Sequence, residues 1–94
     1  MSNNSAVFRV GDLFDAVNSD YLYDAKTRRR QIWWTKHSRL EVTQVNMSND
    51  HRRRVYSIEL ALGEDICVLF DPVHTWTKHF KRVAPLTLLA EAAV

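Results

Sequence analysis

The clearest alternation of apolar and polar positions along the chain lies at residues 54–62, where Tyr56, Ile58, Leu60 and Leu62 interleave with Ser57 and Glu59. Period two over this length predicts a strand with one face buried. The sequence Gly63-Glu64-Asp65 predicts a tight turn, because glycine accepts positive φ without steric cost. Ile66, Cys67, Val68, Leu69 and Phe70 then form an apolar run on both faces, the pattern of a central strand. Residues 54–70 are therefore read as a hairpin.

Upstream, residues 31–37 hold Ile32, Trp33 and Trp34 and are strongly β-prone. Leu40, Val42 and Val45 continue in near-alternation, with a slip after Val42 that a β-bulge would absorb. Ser48-Asn49-Asp50-His51 is a turn cluster between apolar runs. The expected arrangement pairs 31–37 with 40–47, and 40–47 with 54–62. Residues 7–10 are β-prone and end at Gly11. Residues 12–17 read as a strand, with a short helix capped by Asp12 as the competing reading. Residues 18–30 read as a long loop.

Downstream, Asp71-Pro72 ends the hairpin, with Asp71 as a candidate helix cap. Residues 73–79 predict one helical or 3₁₀ turn, and 80–83 a short closing strand. Residues 85–94 predict a helix with Leu86, Leu89, Ala90 and Ala93 on one stripe. The chain is thus read as a single domain over 1–94, with a flexible lead-in at 1–6, a β barrel-like core at 7–83 and a helix at 85–94.

This element order, with Phe8-Arg9-Val10-Gly11-Asp12 at one end of the core and His79-Phe80-Lys81-Arg82-Val83 at the other, resembles small SH3-like barrels, many encoded by phages and mobile elements. The likeness covers residues 8–83 and rests on element order and those two short patterns. The excursion at 18–30 and the helix after Val83 depart from the minimal barrel. The fold class that follows is mainly β: a small SH3-like barrel or a strongly bent antiparallel sheet with a short C-terminal helix. The resemblance implies a binding module and names no ligand.

Charge changes the picture through its distribution. The net charge is only +2, but residues 26–54 carry nine Lys/Arg against Glu41 and Asp50, a balance of +7, and the remainder sums to −5. A field of that shape steers polyanions or acidic proteins toward one region. The single cysteine, Cys67, excludes an internal disulfide and sits in an apolar run, which suits a core thiol in a reducing compartment. No basic-then-apolar leader opens the chain, and no apolar run approaches the ~20 residues that span a bilayer. The cytoplasm of a bacterium or an infected host cell is the expected location, with no membrane partner.

Reactive chemistry is poorly represented. Cys67, His74 and His79 lack the close ligand pairing of structural zinc sites, although Asp71 lies nearby. Ser48 and Ser57 sit in no activating turn, and the two glycines do not make a phosphate loop. Glu59, Glu64, Asp65 and Asp71 are read as solvated carboxylates and not as a nuclease cluster. The chain is read as non-catalytic and without a cofactor.

The candidate site is instead basic and aromatic. Arg28, Arg29 and Arg30 precede Trp33 and Trp34, and Arg52, Arg53 and Arg54 open the best strand. Arginine offers carboxylates and phosphates a planar fork of donors. In a strand Trp33 and Trp34 point to opposite faces, so at most one is core, while Tyr21 and Tyr23 share a parity. Exposed Trp, Tyr and Arg compose a protein-interface hot spot, and they equally compose a nucleic-acid platform. The same arginines also keep a small β domain in solution and guard strand edges. The favoured partner is a protein with an acidic or nucleic-acid-mimicking surface, bound by a small inhibitor or adaptor. DNA or RNA is the alternative, and a homodimer is left open.

Overall fold

A computed structural model describes residues 8–49 and 54–83. In chain order its elements are β1 (Leu13–Ala16), β2 (Asp20–Asp24), β3 (Gln31–Trp34), β4 (Arg39–Met47), β5 (Val55–Leu62), β6 (Asp65–Phe70), α1 (Pro72–His79) and β7 (Phe80–Arg82). All seven strands belong to one antiparallel sheet of order β3-β2-β6-β5-β4-β1-β7. The fold is mainly β, as the alternation indicates.

The β5–β6 hairpin follows from its sequence. Leu62 pairs with Asp65 across Gly63 and Glu64, and Gly63 takes φ +62° at the first connecting position, which such hairpins reserve for glycine. β4 and β5 pair with a register shift between Val42 and Gln44, where the alternation slips, and a second between Asn46 and Met47. Residues 13–16 are strand and not helix.

Four expectations are corrected. Residues 20–24, read as loop, form β2, which pairs with β3 on one side and β6 on the other. β3 therefore folds back on β2 and does not pair with β4. His37 at φ +78° and the Ser38 hydroxyl bonded to the Thr35 N–H turn the chain away from β3. Residues 8–10 are not strand; Phe8 packs in the core while the Gly11 N–H donates to the Val42 carbonyl. The segment from Pro72 to His79 is an eight-residue helix and not a single turn. Asp71 adopts φ +50° with no side-chain cap, and its Oδ1 lies 2.9 Å from His74 Nδ1. The expected lead-in and the helix at 85–94 lie outside the described residues.

One face of the sheet carries the core: Phe14, Ile32, Trp34, Leu40, Val42, Ile58, Leu60, Cys67 and Phe80, with Trp76 of α1 and Phe8 packed against it. The sheet is strongly bent. Trp34 on edge strand β3 meets Phe80 on the opposite edge strand β7, their rings 5.1 Å apart. His79 Nδ1 lies 3.3 Å from Asp20 Oδ2, and the Trp34 indole donates to the Asn18 carbonyl. Side chains thus draw the two edges together, while among the described residues no hydrogen-bonded ladder joins β3 to β7.

Candidate functional site

Residues directly opposite in an antiparallel ladder share a face. Tyr21 pairs with Trp33 and Tyr23 with Gln31 and Val68, so these side chains lie together on the face away from the core. The Tyr21 ring is 4.6 Å from Trp33 and 5.6 Å from Tyr23, the latter edge-on. Trp33 is 62 % exposed, and its indole N–H donates to Gln31 Oε1 at 3.2 Å. Hydrogen bonding with Tyr23, then the charge that Tyr23 carries when ionised, push the Tyr21 phenol above its ordinary pKa.

The β2–β3 turn supplies the cations. Asp24 accepts the N–H groups of Lys26 and Thr27 on one oxygen, an Asx-type turn that fixes the chain direction. The Thr27 bond, then the Lys26 bond and the Arg30 guanidinium, hold the Asp24 carboxyl below its ordinary value. Arg28 takes φ +58° and reaches across the outer face to lie 5.1 Å over the Phe70 ring. Arg30 is engaged by Asp65, with Asp24 at 3.9 Å. Arg29 is exposed.

The structure therefore brings Tyr21, Tyr23, Trp33 and Arg28 to one face of the sheet, while Arg30, opposite Asp24 and through it Cys67, turns to the core side, where Asp65 engages it. It removes Trp34, a candidate in the sequence, to the core at 4 % exposure. The strand parity carries this outcome, because adjacent residues face opposite ways. Arg52 and Arg53 lie outside the described residues. Arg54 is exposed, and its N–H donates to the Ser48 hydroxyl.

Two features were not singled out from the sequence. Tyr56 and Phe70, 55 % and 40 % exposed with rings 5.6 Å apart, wall a groove of about 640 Å³ with Arg54, Val73 and His74. The alternation at Tyr56 and the apolar run ending at Phe70 both predict burial, yet both residues are exposed near the ends of β5 and β6. Across the β4–β5 ladder lies a polar patch, where the Asn46 amide donates to the buried Ser57 hydroxyl and the Gln44 amide donates to Asn46 Oδ1.

Among the described residues, no group of three or more His, Cys, Asp or Glu is placed to hold a metal ion. No helix among them is long and apolar enough to cross a membrane. No protein-family model, curated protein or solved structure was found to match the chain.

Proposed function

We propose that this chain is a small non-catalytic binding module that docks on a partner protein through the face bearing Tyr21, Tyr23 and Trp33, with the Arg28–Arg30 turn at its rim. The observation that carries the reading is the aromatic triplet itself. Its rings pack on one another on the side of the sheet opposite the core, and Trp33 keeps most of its surface in water. Rigid aromatics beside arginine supply large contact area at low entropic cost, which is the composition of interface hot spots. An inhibitor or adaptor role and a kinship with SH3-like barrels belong to the same proposal.

A protein partner is favoured over nucleic acid by the local charge. Arg30 is already paired with carboxylates, and Glu59 lies on the same face as Val68, its ladder partner. The test compares proteins co-purifying with the tagged chain and with a Tyr21→Ser, Tyr23→Ser, Trp33→Ser variant of matching circular dichroism. Loss of specific partners in the variant is expected. Equal capture by both chains would move the site off this face. Binding to DNA or RNA probes that weakens steeply with salt would favour nucleic acid instead.

A further inference from the structure

We infer that β3 is a strand-accepting edge whose occupant is an acidic, extended segment of the partner protein. This deepens the reading above and rests on it.

Antiparallel pairs alternate between those that exchange backbone hydrogen bonds and those that do not. The Asp24 N–H donates to the Arg30 carbonyl at 2.7 Å, and in this register Leu22/Ile32 and Asp20/Trp34 are the next bonding pairs. The N–H and C=O groups of Gln31 and Trp33 therefore point away from β2. β3 ends the strand order, so no strand among the described residues meets them. Both residues are exposed, as unpaired backbone groups require. Such a row is a template for a further strand. The other edge is less suited: β7 has three residues, and the Phe80 N–H is spent on the Trp76 carbonyl at the end of α1.

Charge selects the occupant. Arg28, Arg29 and Arg30 immediately precede β3 and Lys36 follows it. Arg30 is partnered by Asp65 and Arg28 reaches over Phe70 on β6, so Arg29 and Lys36 are the cations nearest the free edge, with the charge of Arg28 behind them. Among the described residues no carboxylate lies within ion-pair distance of Arg28, Arg29 or Lys36. A second copy fits badly. Two-fold pairing about Ile32 would bring the Arg28–Arg30 turn of each copy beside the turn of the other that bears Lys36, and like charges repel. An acidic strand answers the same charges favourably. Its alternate side chains would fall on the face that carries Trp33.

The test uses the full chain labelled with nitrogen-15 and a short peptide of alternating glutamate and valine. The Gln31 and Trp33 amide signals are expected to shift, with their solvent exchange slowed roughly ten-fold or more. Gln31→Pro removes an outward N–H at the first residue of an edge strand, where proline leaves the β2 ladder intact. It should weaken peptide binding at least about ten-fold, while Gln31→Thr stays within about two-fold. Shifts confined to the rings of Tyr21, Tyr23 and Trp33, with the Gln31 amide unprotected, would overturn strand addition and leave the aromatic face standing. Gln31→Pro abolishing binding while Trp33→Ala leaves it unchanged would keep the edge and overturn the face. Amide protection that grows with protein concentration, without peptide, would replace the partner with a second copy and overturn the inference. An equal response to a lysine–valine peptide or to oligothymidylate, or no response to the acidic peptide, would overturn it too.

Discussion

Trp33 and Trp34 are neighbours in the chain and lie on opposite faces of the same sheet, one 62 % exposed and the other 4 %. Trp34 packs on Phe80 and donates its indole N–H to the Asn18 carbonyl, tying edge strand β3 to the far edge. Trp34→Ala should cost about 3–5 kcal/mol, the range for removing a buried large aromatic. Trp33→Ala gives up its packing on Tyr21 and should cost under about 1 kcal/mol. Urea denaturation of both variants checks the contrast. Equal losses would mean that Trp33 is structural and the proposed face is an extension of the core.

The turn at Asp24 makes an acid prediction. Because its carboxyl titrates below 3.8 in the folded chain, Asp24 contributes stability above that value and loses it as pH falls through the folded pKa. Asp15, held low by its hydrogen bond to Arg39, acts in the same direction. From these two carboxylates stability should be level between about pH 5 and pH 8 and decline below about pH 4. Asp24→Asn cannot ionise, so its decline should be shallower. Denaturation midpoints across this range measure it, and identical acid slopes for the two proteins would refute the assignment.

Much of this architecture is legible in the residues, and the failures have identifiable causes. The β5 alternation, the Gly63 turn and the slip after Val42 are local signals, and each maps onto a ladder or a shift. β2 is different. Residues 20–24 have no fully buried position, and their strand conformation is set by β3 and β6, which are distant in sequence from one another. The turn chemistry at Asp24, with Thr27 three residues on, was the signal that could have converted that loop into a hairpin. Strand parity showed that Trp33 and Trp34 divide between faces, but not which one is buried. That depends on the register against β2, which the chain locally does not encode.

Arg82 offers a test of packing by a charged group. It stands opposite Phe14 in the β1–β7 ladder, with its guanidinium carbon 5.4, 5.2 and 5.3 Å from the ring centres of Phe8, Phe14 and Trp76. Its Nη1 donates to Asp12 Oδ2 at 2.9 Å, and the same oxygen accepts the Arg9 N–H. A planar guanidinium lays its face on the rings while its edge donates to the carboxylate, a geometry that a compact ammonium does not reproduce. Arg82→Lys should therefore destabilise by about 1–2 kcal/mol despite keeping the charge. A double-mutant cycle with Asp12→Ala should show positive coupling. A neutral Arg82→Lys substitution would assign the site to simple charge.

Cys67 is predicted to be chemically silent while the fold is intact. Its side chain is fully buried among core residues, with Sγ 3.5 Å from the Leu60 carbonyl oxygen, and burial pushes the thiol up to about 12. The thiolate is the reactive form, so at pH 8 the folded chain should resist a disulfide reagent, and labelling should proceed at the rate of opening. The same shift has an alkaline consequence. With the folded thiol raised above 9.0, the contribution is complete below that value and is lost as pH rises toward 12, because the unfolded chain ionises first. Cys67→Ala should flatten this alkaline decline while lowering stability at neutral pH through the small void it leaves. Rapid labelling of the native chain, at a rate independent of added urea, would show that the centre of β6 is open to solvent and would overturn the burial on which both statements depend.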